Sequence, residues 1–429
     1  LDYITLRLAC FQGFWQKEPD LSQRILFICH DGDLYGSQHS LSLIVAHLPP
    51  ESYQCFVSMA RPGPLRDLLE SNPNTQVLSH QRLQWVKHDP RNWFQKIGDC
   101  LALVLSAFPR VWFLFNTIRR EKINLVHTNV TVSLEGALAA ALAGVPHVWH
   151  IRELFMEKSP KFHMVLGRAL SRRIIARFSD QVICISHAVR DQFGPCLKED
   201  PEKYRLIYNA MTFQNLPSLL LWNDHQRTMM KSLSLASLQI PEQECFRIGY
   251  IGRLSAGKGL HELLAAFAIL KQRGYALQLL VAGSFVDAPY EERIRLLVQR
   301  EQLEDSVYFL GYQSDLSPLY EVLDLLVVPS VNEPFGRVVI EAMAHGVPCI
   351  GANAGGIPEI IEHEETGWLY PPGDVWALAD MIEPLTMAFW KLETIRQNAR
   401  RMVCERFNIE TQIRMLQTCY QSAMIRHQF

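Results

Sequence analysis

Glu333-Pro-Phe-Gly-Arg-Val-Val-Ile-Glu341, followed by Ala342-Met-Ala-His-Gly346 and Gly355-Gly-Ile-Pro-Glu359, is the stretch whose reading decides the fold. It reads as a helix built to receive a phosphorylated ligand at its front end. Val327-Val328-Pro329-Ser330 just upstream reads as the end of a buried strand. Pro334 suits the first helical position, because it lacks an N–H that would go unpaired there. Val339, Ala342, Met343 and Gly346 keep the i, i+3, i+4, i+7 spacing of a face packed on a sheet. Free amides at Phe335, Gly336 and Arg337 are then expected at the helix N-terminus, where the dipole favours an anion. The spacing of Glu333 and Glu341 puts them roughly 12 Å apart along a helix axis. That is too far to share one proton or one metal ion, but the pair can bracket a long ligand.

Outward from this helix, short apolar runs alternate with helical patterns at 25–29, 53–59, 124–127, 148–151, 182–186 and 205–208. The alternation resumes at 247–251, 278–282, 307–310, 325–329 and 349–351. Strands separated by helices imply parallel sheets with right-handed crossovers. The fold class is therefore α/β, with two doubly wound parallel sheets. The expected layout is an extension over 1–22, a first domain over 23–211 and a second domain over 246–408. The polar and helical fragments of 212–245 form the expected connection. In such sheets ligands bind at the carboxyl ends of strands, near a topological switch.

A chain of 429 residues exceeds one typical core and suits two domains. Hydrophobic content of 48% with 20% charge describes an ordinary folded protein. A formal net charge of −2 gives a nucleic-acid partner no bulk electrostatic support. The ten cysteines form no Cys-x-x-Cys pair, which favours reduced thiols in a cytoplasmic setting over a structural zinc site. Leu1-Asp-Tyr-Ile-Thr offers neither a methionine nor a basic n-region, so no signal peptide is read there and the chain is expected to be either trimmed or an excerpt of a longer one. No window reaches the roughly 20 uninterrupted apolar residues of a membrane span. The closest, 101–118, is interrupted by Pro109, Arg110 and Asn116 and is expected to be a kinked core helix. The alternative is a helix whose exposed Trp112, Phe113 and Phe115 meet a bilayer surface.

The Glu-x7-Glu spacing, with Pro-Ser before it and Gly-Gly-Ile-Pro-Glu after it, resembles the donor half of the retaining glycosyltransferases of family 4, which share the GT-B fold. The resemblance implies two Rossmann-like domains facing each other across a cleft, with a last helix, within 409–429, packed back on the first. The resemblance extends to Tyr250-Ile-Gly-Arg253-Leu-Ser-Ala-Gly-Lys258-Gly259, Val281-Ala-Gly283, Val307-Tyr-Phe-Leu-Gly311, Asp324 and Thr366-Gly-Trp-Leu-Tyr-Pro-Pro-Gly373. It implies transfer of a sugar, with retention, from a nucleotide diphosphate sugar to a hydroxyl of a glycan, lipid-linked or small-molecule acceptor, with no cofactor and no metal. Under it Arg253 and Lys258 clamp the diphosphate, Glu341 takes the ribose hydroxyls and Glu333 sits beside the sugar. Gly252, Gly283, Tyr312, Ser330, Phe335, Gly336 and Arg337 complete the expected donor side. In the first domain, His150 matches a histidine facing the donor sugar, and Gly36 matches a glycine-rich loop in which Tyr35 occupies the place of a second glycine. An epimerase on the same fold, or a binding subunit without turnover, remain the alternatives.

Three other patterns compete. Gly252-Arg-Leu-Ser-Ala-Gly257-Lys258-Gly259 nearly spells a P-loop, but Gly259 stands where a Mg²⁺-binding hydroxyl is required. Asp31-Gly32-Asp33 resembles an Asp-x-Asp metal site, although such a triplet arises easily by chance. Arg168, Arg172, Arg173 and Arg177 interleave with Leu170, Ile174, Ile175 and Phe178. That reads either as a solvated helix face or as a peripheral contact with an anionic membrane at its cytoplasmic face.

Overall fold

In a computed structural model of the chain, which describes residues 23–79, 85–88, 93–155, 162–213, 224–387 and 389–428, the two expected sheets are both present. The expected extension over 1–22 lies outside the described residues. The first sheet contains β1 (Gln23–Cys29), β2 (Tyr53–Met59), β3 (Thr75–Ser79), β5 (Leu125–Thr128), β6 (His147–Ile151), β8 (Gln181–Cys184) and β9 (Tyr204–Leu206). Its order is β3-β2-β1-β5-β6-β8-β9, and every pairing is parallel. The second contains β10 (Phe246–Ile251), β11 (Leu277–Ala282), β12 (Val307–Gly311), β13 (Leu325–Val328), β14 (Cys349–Ala352) and β15 (Trp368–Tyr370), in the order β12-β11-β10-β13-β14-β15. A small antiparallel pair, β4 (Val86–His88) with β7 (Phe162–Met164), sits beside the first sheet.

The inner strands are near-continuous apolar runs because helices cover both faces of each sheet. Each sheet reverses its strand order once, between β1 and β5 and between β10 and β13, so each carries its own switch point. Besides β4 and β7, the strands that the sequence does not announce are β3 and β15, both short edge strands; Thr75-Gln-Val-Leu-Ser79 is half-polar and only partly covered.

The chain returns to the first domain at its end. Met211 donates its amide to the Phe407 carbonyl, and Asn408 caps the helix Ile409–His427 by accepting from the Thr411 amide. Ile409, Ile413, Leu416, Tyr420 and Ala423 on that helix are buried in one cluster with Ile25, Phe27 and Cys29 of β1. Within the expected connection, the helix Asp224–Ser237 belongs to the second domain, where Ser234 donates to Glu321 and Lys231 pairs with Asp324.

The apolar segment over 101–118 departs from a simple core helix. It lies in one 28-residue helix, Trp93–Arg120, with Pro109 inside it. Leu103, Val111, Leu114 and Ile118 are buried, whereas Leu105 is 77% exposed and Phe108 72%. Leu101, Val104 and Trp112 are exposed on the same side, and Trp112 stacks between Phe108 and Phe115 at 5.9 and 5.2 Å. A helix of this length spans about 42 Å, well beyond strands of three to seven residues. One stripe packs on the domain and a second apolar stripe is left open. By length and composition, Gly98–Arg120 would suffice to cross a membrane, although its packed stripe is part of the fold.

Candidate active site

The loops after β1, β10 and β13, beside the two switch points, carry most of the expected site residues; Gly283, Tyr312 and His150 lie at the carboxyl ends of β11, β12 and β6. After β10, Arg253 is exposed, with no ion pair among the described residues, and its carbonyl accepts from the Tyr250 hydroxyl. Ala256–Lys258 form a single 3₁₀ turn, and the next helix, Leu260–Gln272, starts after Gly259. Gly259 has φ of +73°, and a Cβ there would lie 2.1 Å from the Pro329 carbonyl oxygen. A glycine is needed because the Lys258 loop presses directly on the end of β13. Lys258 Nζ lies 2.5 Å from Glu333 Oε2, joining the two loops by a half-buried ion pair. Ser330 donates to the Gly257 carbonyl at 3.4 Å, and Gly252 and Gly283 are bonded back to Ala282 and Gly311.

The helix after β13 starts later than its sequence implies. It runs over Arg337–Ala344, with Gly336 as N-cap in the left-handed region at φ +106°. Pro334 therefore lies in the preceding loop, and the Phe335 amide is not part of a first helical turn. Phe335 is instead a buried joint, its ring 5.9 Å from Tyr208 and 5.6 Å from Phe407. The Glu333 loop is shaped by Gly355, which has φ of +59° and would put a Cβ 2.3 Å from the Glu333 carbonyl oxygen. Gly356 donates its amide to that same oxygen at 2.8 Å. This explains the Gly-Gly pair of the motif.

Glu341 is held by Arg337 Nε at 2.6 Å and by the Tyr320 hydroxyl at 3.3 Å. Arg337 also reaches the other domain. Its Nη1 donates to the Gly36 carbonyl at 3.4 Å and its Nη2 to His39 Nδ1 at 3.0 Å. His39 gave no sequence signal. Its pKa is lowered, first by burial and then by the Arg337 charge, so it stays the neutral acceptor that a guanidinium requires. Tyr312 is exposed at the end of β12, away from these bonded pairs.

His150 lies at the carboxyl end of β6 and is fully buried. Its pKa is pushed well below its usual value by burial and by Arg152. Arg152 itself is brought down to about 9 by burial. Glu359, the last residue of the Gly-Gly-Ile-Pro-Glu motif, ties the domains together. Its carboxylate accepts from the His187 and Ala188 amides at 2.8 and 3.0 Å and from the Tyr208 hydroxyl at 3.1 Å. Among the described residues no three His, Cys, Asp or Glu side chains converge as a metal site. Asp31 is turned to the Gly32 amide and lies 3.9 Å from Arg61.

Two family models match the chain in tandem: Glycosyltransferase Family 4 over residues 73–213 and Glycosyl transferases group 1 over residues 236–402. The chain belongs to the group 1, family 4 glycosyltransferases. This glycosyltransferase is 32% identical to an N-acetyl-alpha-D-glucosaminyl L-malate synthase of Bacillus anthracis, over 60% of the present chain and 64% of that relative. It is 27% identical to the capsular polysaccharide biosynthesis glycosyltransferase CapM of Staphylococcus aureus, over 74% and 80% of the two chains. Its fold matches a crystal structure of Anabaena HepE in complex with UDP-glucose with a TM-score of 0.72, at 25% identity, covering 92% of the glycosyltransferase and 98% of HepE.

Two expectations follow from the site's packing. Gly355→Ala should cost on the order of 1–3 kcal/mol from the left-handed backbone alone, more with the clash on Glu333, and urea unfolding measures it. Gly144→Ala, at φ +65° with open space around it, should show only the backbone part. The second concerns acid. His39, His127, His147 and His150 are all held below the ordinary imidazole value, His147 at about 3, each chiefly by burial. The folded chain thus binds fewer protons than the unfolded one as pH falls below about 6.5. Stability should be full above that pH and drain progressively towards pH 4, read as a falling Tm.

Proposed function

We propose that this glycosyltransferase moves a sugar from a nucleotide diphosphate sugar to a hydroxyl acceptor, with retention at the anomeric carbon and no metal requirement. The observation that carries this reading is the meeting of Lys258, Glu333, Arg337 and Glu341 at the switch point of the second sheet, with Gly36 of the first domain bonded to the same Arg337. Cations gathered at the ends of parallel strands suit a diphosphate, since the departing group gains charge that Arg253 and Lys258 can stabilise. Glu341, oriented by Tyr320 and Arg337, supplies two fixed acceptor oxygens for ribose hydroxyls. No cofactor is needed for this chemistry. The UDP-glucose bound by HepE supports a sugar nucleotide as donor, and retention rests on the family's analogy, in which the donor's own phosphate oxygen takes the acceptor proton.

The Lys258–Glu333 pair gives the reading a specific consequence. An arriving diphosphate competes with Glu333 for the ammonium, and the displaced carboxylate is then free beside the sugar ring. Glu333→Gln should bind a nucleoside diphosphate more tightly than the parent by calorimetry, because its lysine is no longer neutralised, and should still lose kcat. Glu341→Gln should mainly raise the donor KM, since it removes an interaction common to ground and transition states. Lys258→Ala or Arg253→Ala should lower kcat by about 10²–10³. Near-normal kcat in both would refute the clamp. Activity should persist in excess EDTA, and rescue of an EDTA-stopped reaction by Mn²⁺ would return Asp31 and Asp33 to consideration.

An acceptor carried at an anionic membrane surface, at its cytoplasmic face, fits the first domain best. What supports it is the open stripe of Leu101, Val104, Leu105, Phe108 and Trp112, together with Arg119 and Arg120 at the end of the same helix. Cys100 on that helix donates to the Val165 carbonyl, just ahead of the arginine-rich helix Arg168–Arg177. Apolar insertion flanked by arginines is how a protein rests on anionic lipid head groups. The chain should sediment with vesicles containing phosphatidylglycerol, less so at high salt. Phe108→Ser with Trp112→Ser should abolish that binding without lowering Tm. Equal sedimentation of parent and double variant would remove the membrane from this account.

A further inference from the structure

Behind the Gly36 turn, a buried chain of polar side chains runs from the cleft to the last helix. Arg152 donates from Nη1 to Asn209 Oδ1 at 2.6 Å and to Ser40 Oγ at 3.0 Å, and from Nε to the Asn129 carbonyl and Oδ1 at 3.2 and 3.1 Å. Its Nη2 lies 3.3 Å from His150 Nδ1. His127 Nε2 lies 3.3 Å from the same His150 Nδ1, and His127 Nδ1 lies 2.9 Å from the Tyr420 hydroxyl on the helix Ile409–His427. His127, His150 and Tyr420 are all fully buried.

The donors and acceptors can be assigned from chemistry alone. A guanidinium only donates, so His150 Nδ1 must offer its lone pair to Arg152. Burial and the Arg152 charge keep both imidazoles neutral. A neutral His150 then carries its proton on Nε2, and that nitrogen has no hydrogen-bond partner among the described residues. His127 has two tautomers. With the proton on Nε2 it donates to His150 Nδ1; with the proton on Nδ1, two lone pairs would face each other at 3.3 Å. A Tyr420 hydroxyl that donates to His127 Nδ1 selects the first arrangement. The end of the chain is thus an unused buried N–H at the carboxyl end of β6, in the domain expected to face the acceptor.

We propose that Tyr420 and His127 are positioning residues, which together with Arg152 hold His150 as its Nε2–H tautomer and so keep one hydrogen-bond donor ready for a hydroxyl of the bound sugar. This rests on the reading of His150 as facing the donor sugar. It gives the returning C-terminal helix a part in the site beyond closing the first domain, because the phenol that completes the chain sits on that helix. A buried donor with no protein partner is satisfied when a ligand hydroxyl takes it, so sugar binding and hydrogen-bond completion become one event.

The test uses the whole chain labelled with ¹⁵N-histidine, with His127→Gln and His150→Gln spectra to assign the signals. In the parent, His150 should show a protonated Nε2 and an unprotonated Nδ1, as should His127. Tyr420→Phe keeps the ring and removes only the hydroxyl; the His127 signals should then move towards a tautomer mixture. Its donor KM should rise about three- to tenfold, with kcat nearly unchanged. In a His127→Phe background, adding Tyr420→Phe should raise the donor KM no further, because the hydroxyl acts only through His127. A purely structural role would instead give additive losses that track Tm. A parent His150 protonated on Nδ1, unchanged His127 signals in Tyr420→Phe, or unaltered donor KM despite altered tautomers would each overturn the proposal. The resonances are read on the resting protein, so a chain that transferred no sugar would refute the donor reading while these signals still decided the relay.

Discussion

The joint between the two sheets is the constraint on which the rest depends. Phe335 from the second domain, Tyr208 from the end of the first and Phe407 from the returning segment pack ring against ring, and both Phe335 and Phe407 are buried. Around them Glu359 takes two amides of the helix His187–Asp191, and Ser186 donates to the Pro334 carbonyl. An apolar joint ringed by directional bonds fixes orientation better than either alone, since ring contacts are tolerant of sliding and carboxylate bonds are not. Its effect is to bring the carboxyl ends of both sheets towards one cleft. The residues bracketing this joint, Glu333 and Arg337, are those that meet the cleft, so the mechanical seam and the chemistry share one loop.

That sharing explains which parts of the molecule were legible in the sequence. The inner strands were legible because parallel strands covered on both faces must be apolar runs, and runs such as Ile25–Cys29 of β1 have no other good reading. Two of the four edge strands were not: β3 is half-polar and β15 only three residues long, whereas the edges β9 and β12 carry apolar runs that can be read. The Lys258 and Glu333 loops were legible through their glycines and prolines, whose backbone demands are local. The start of the helix after β13 was misread because Pro334 obeys the rule for a first helical residue, whereas the left-handed Gly336 postpones the helix to Arg337. Contacts that join distant segments, such as His39 with Arg337 or Glu359 with His187, leave no local pattern at all.

The long helix Trp93–Arg120 shows the same limit from another side. A spacing argument identifies an apolar stripe on a helix, and this helix has two of them. Only packing decides which stripe is inside, and packing here is limited by the length of the strands beneath. The outer stripe is therefore a consequence of geometry before it is an adaptation, and the arginines close to it are what turn an exposed surface into a candidate contact.

Two of the three cations at the cleft are paired before any ligand arrives. Lys258 is neutralised by Glu333 and Arg337 by Glu341, while Arg253 stands exposed at the rim. Pre-pairing prevents two cations from repelling each other across a narrow gap, and it also orients both carboxylates. Under the proposed reaction it would cost affinity, since a diphosphate would have to displace one partner to reach its lysine. That cost would fall on the ground state. A departing diphosphate would gain negative charge and hold Lys258 more strongly, while a sugar ring gaining positive character would meet the released Glu333. An ion pair broken on binding and replaced by two separate interactions in the transition state would turn binding into rate, and the 2.5 Å contact between Lys258 and Glu333 would be the resting form of that exchange.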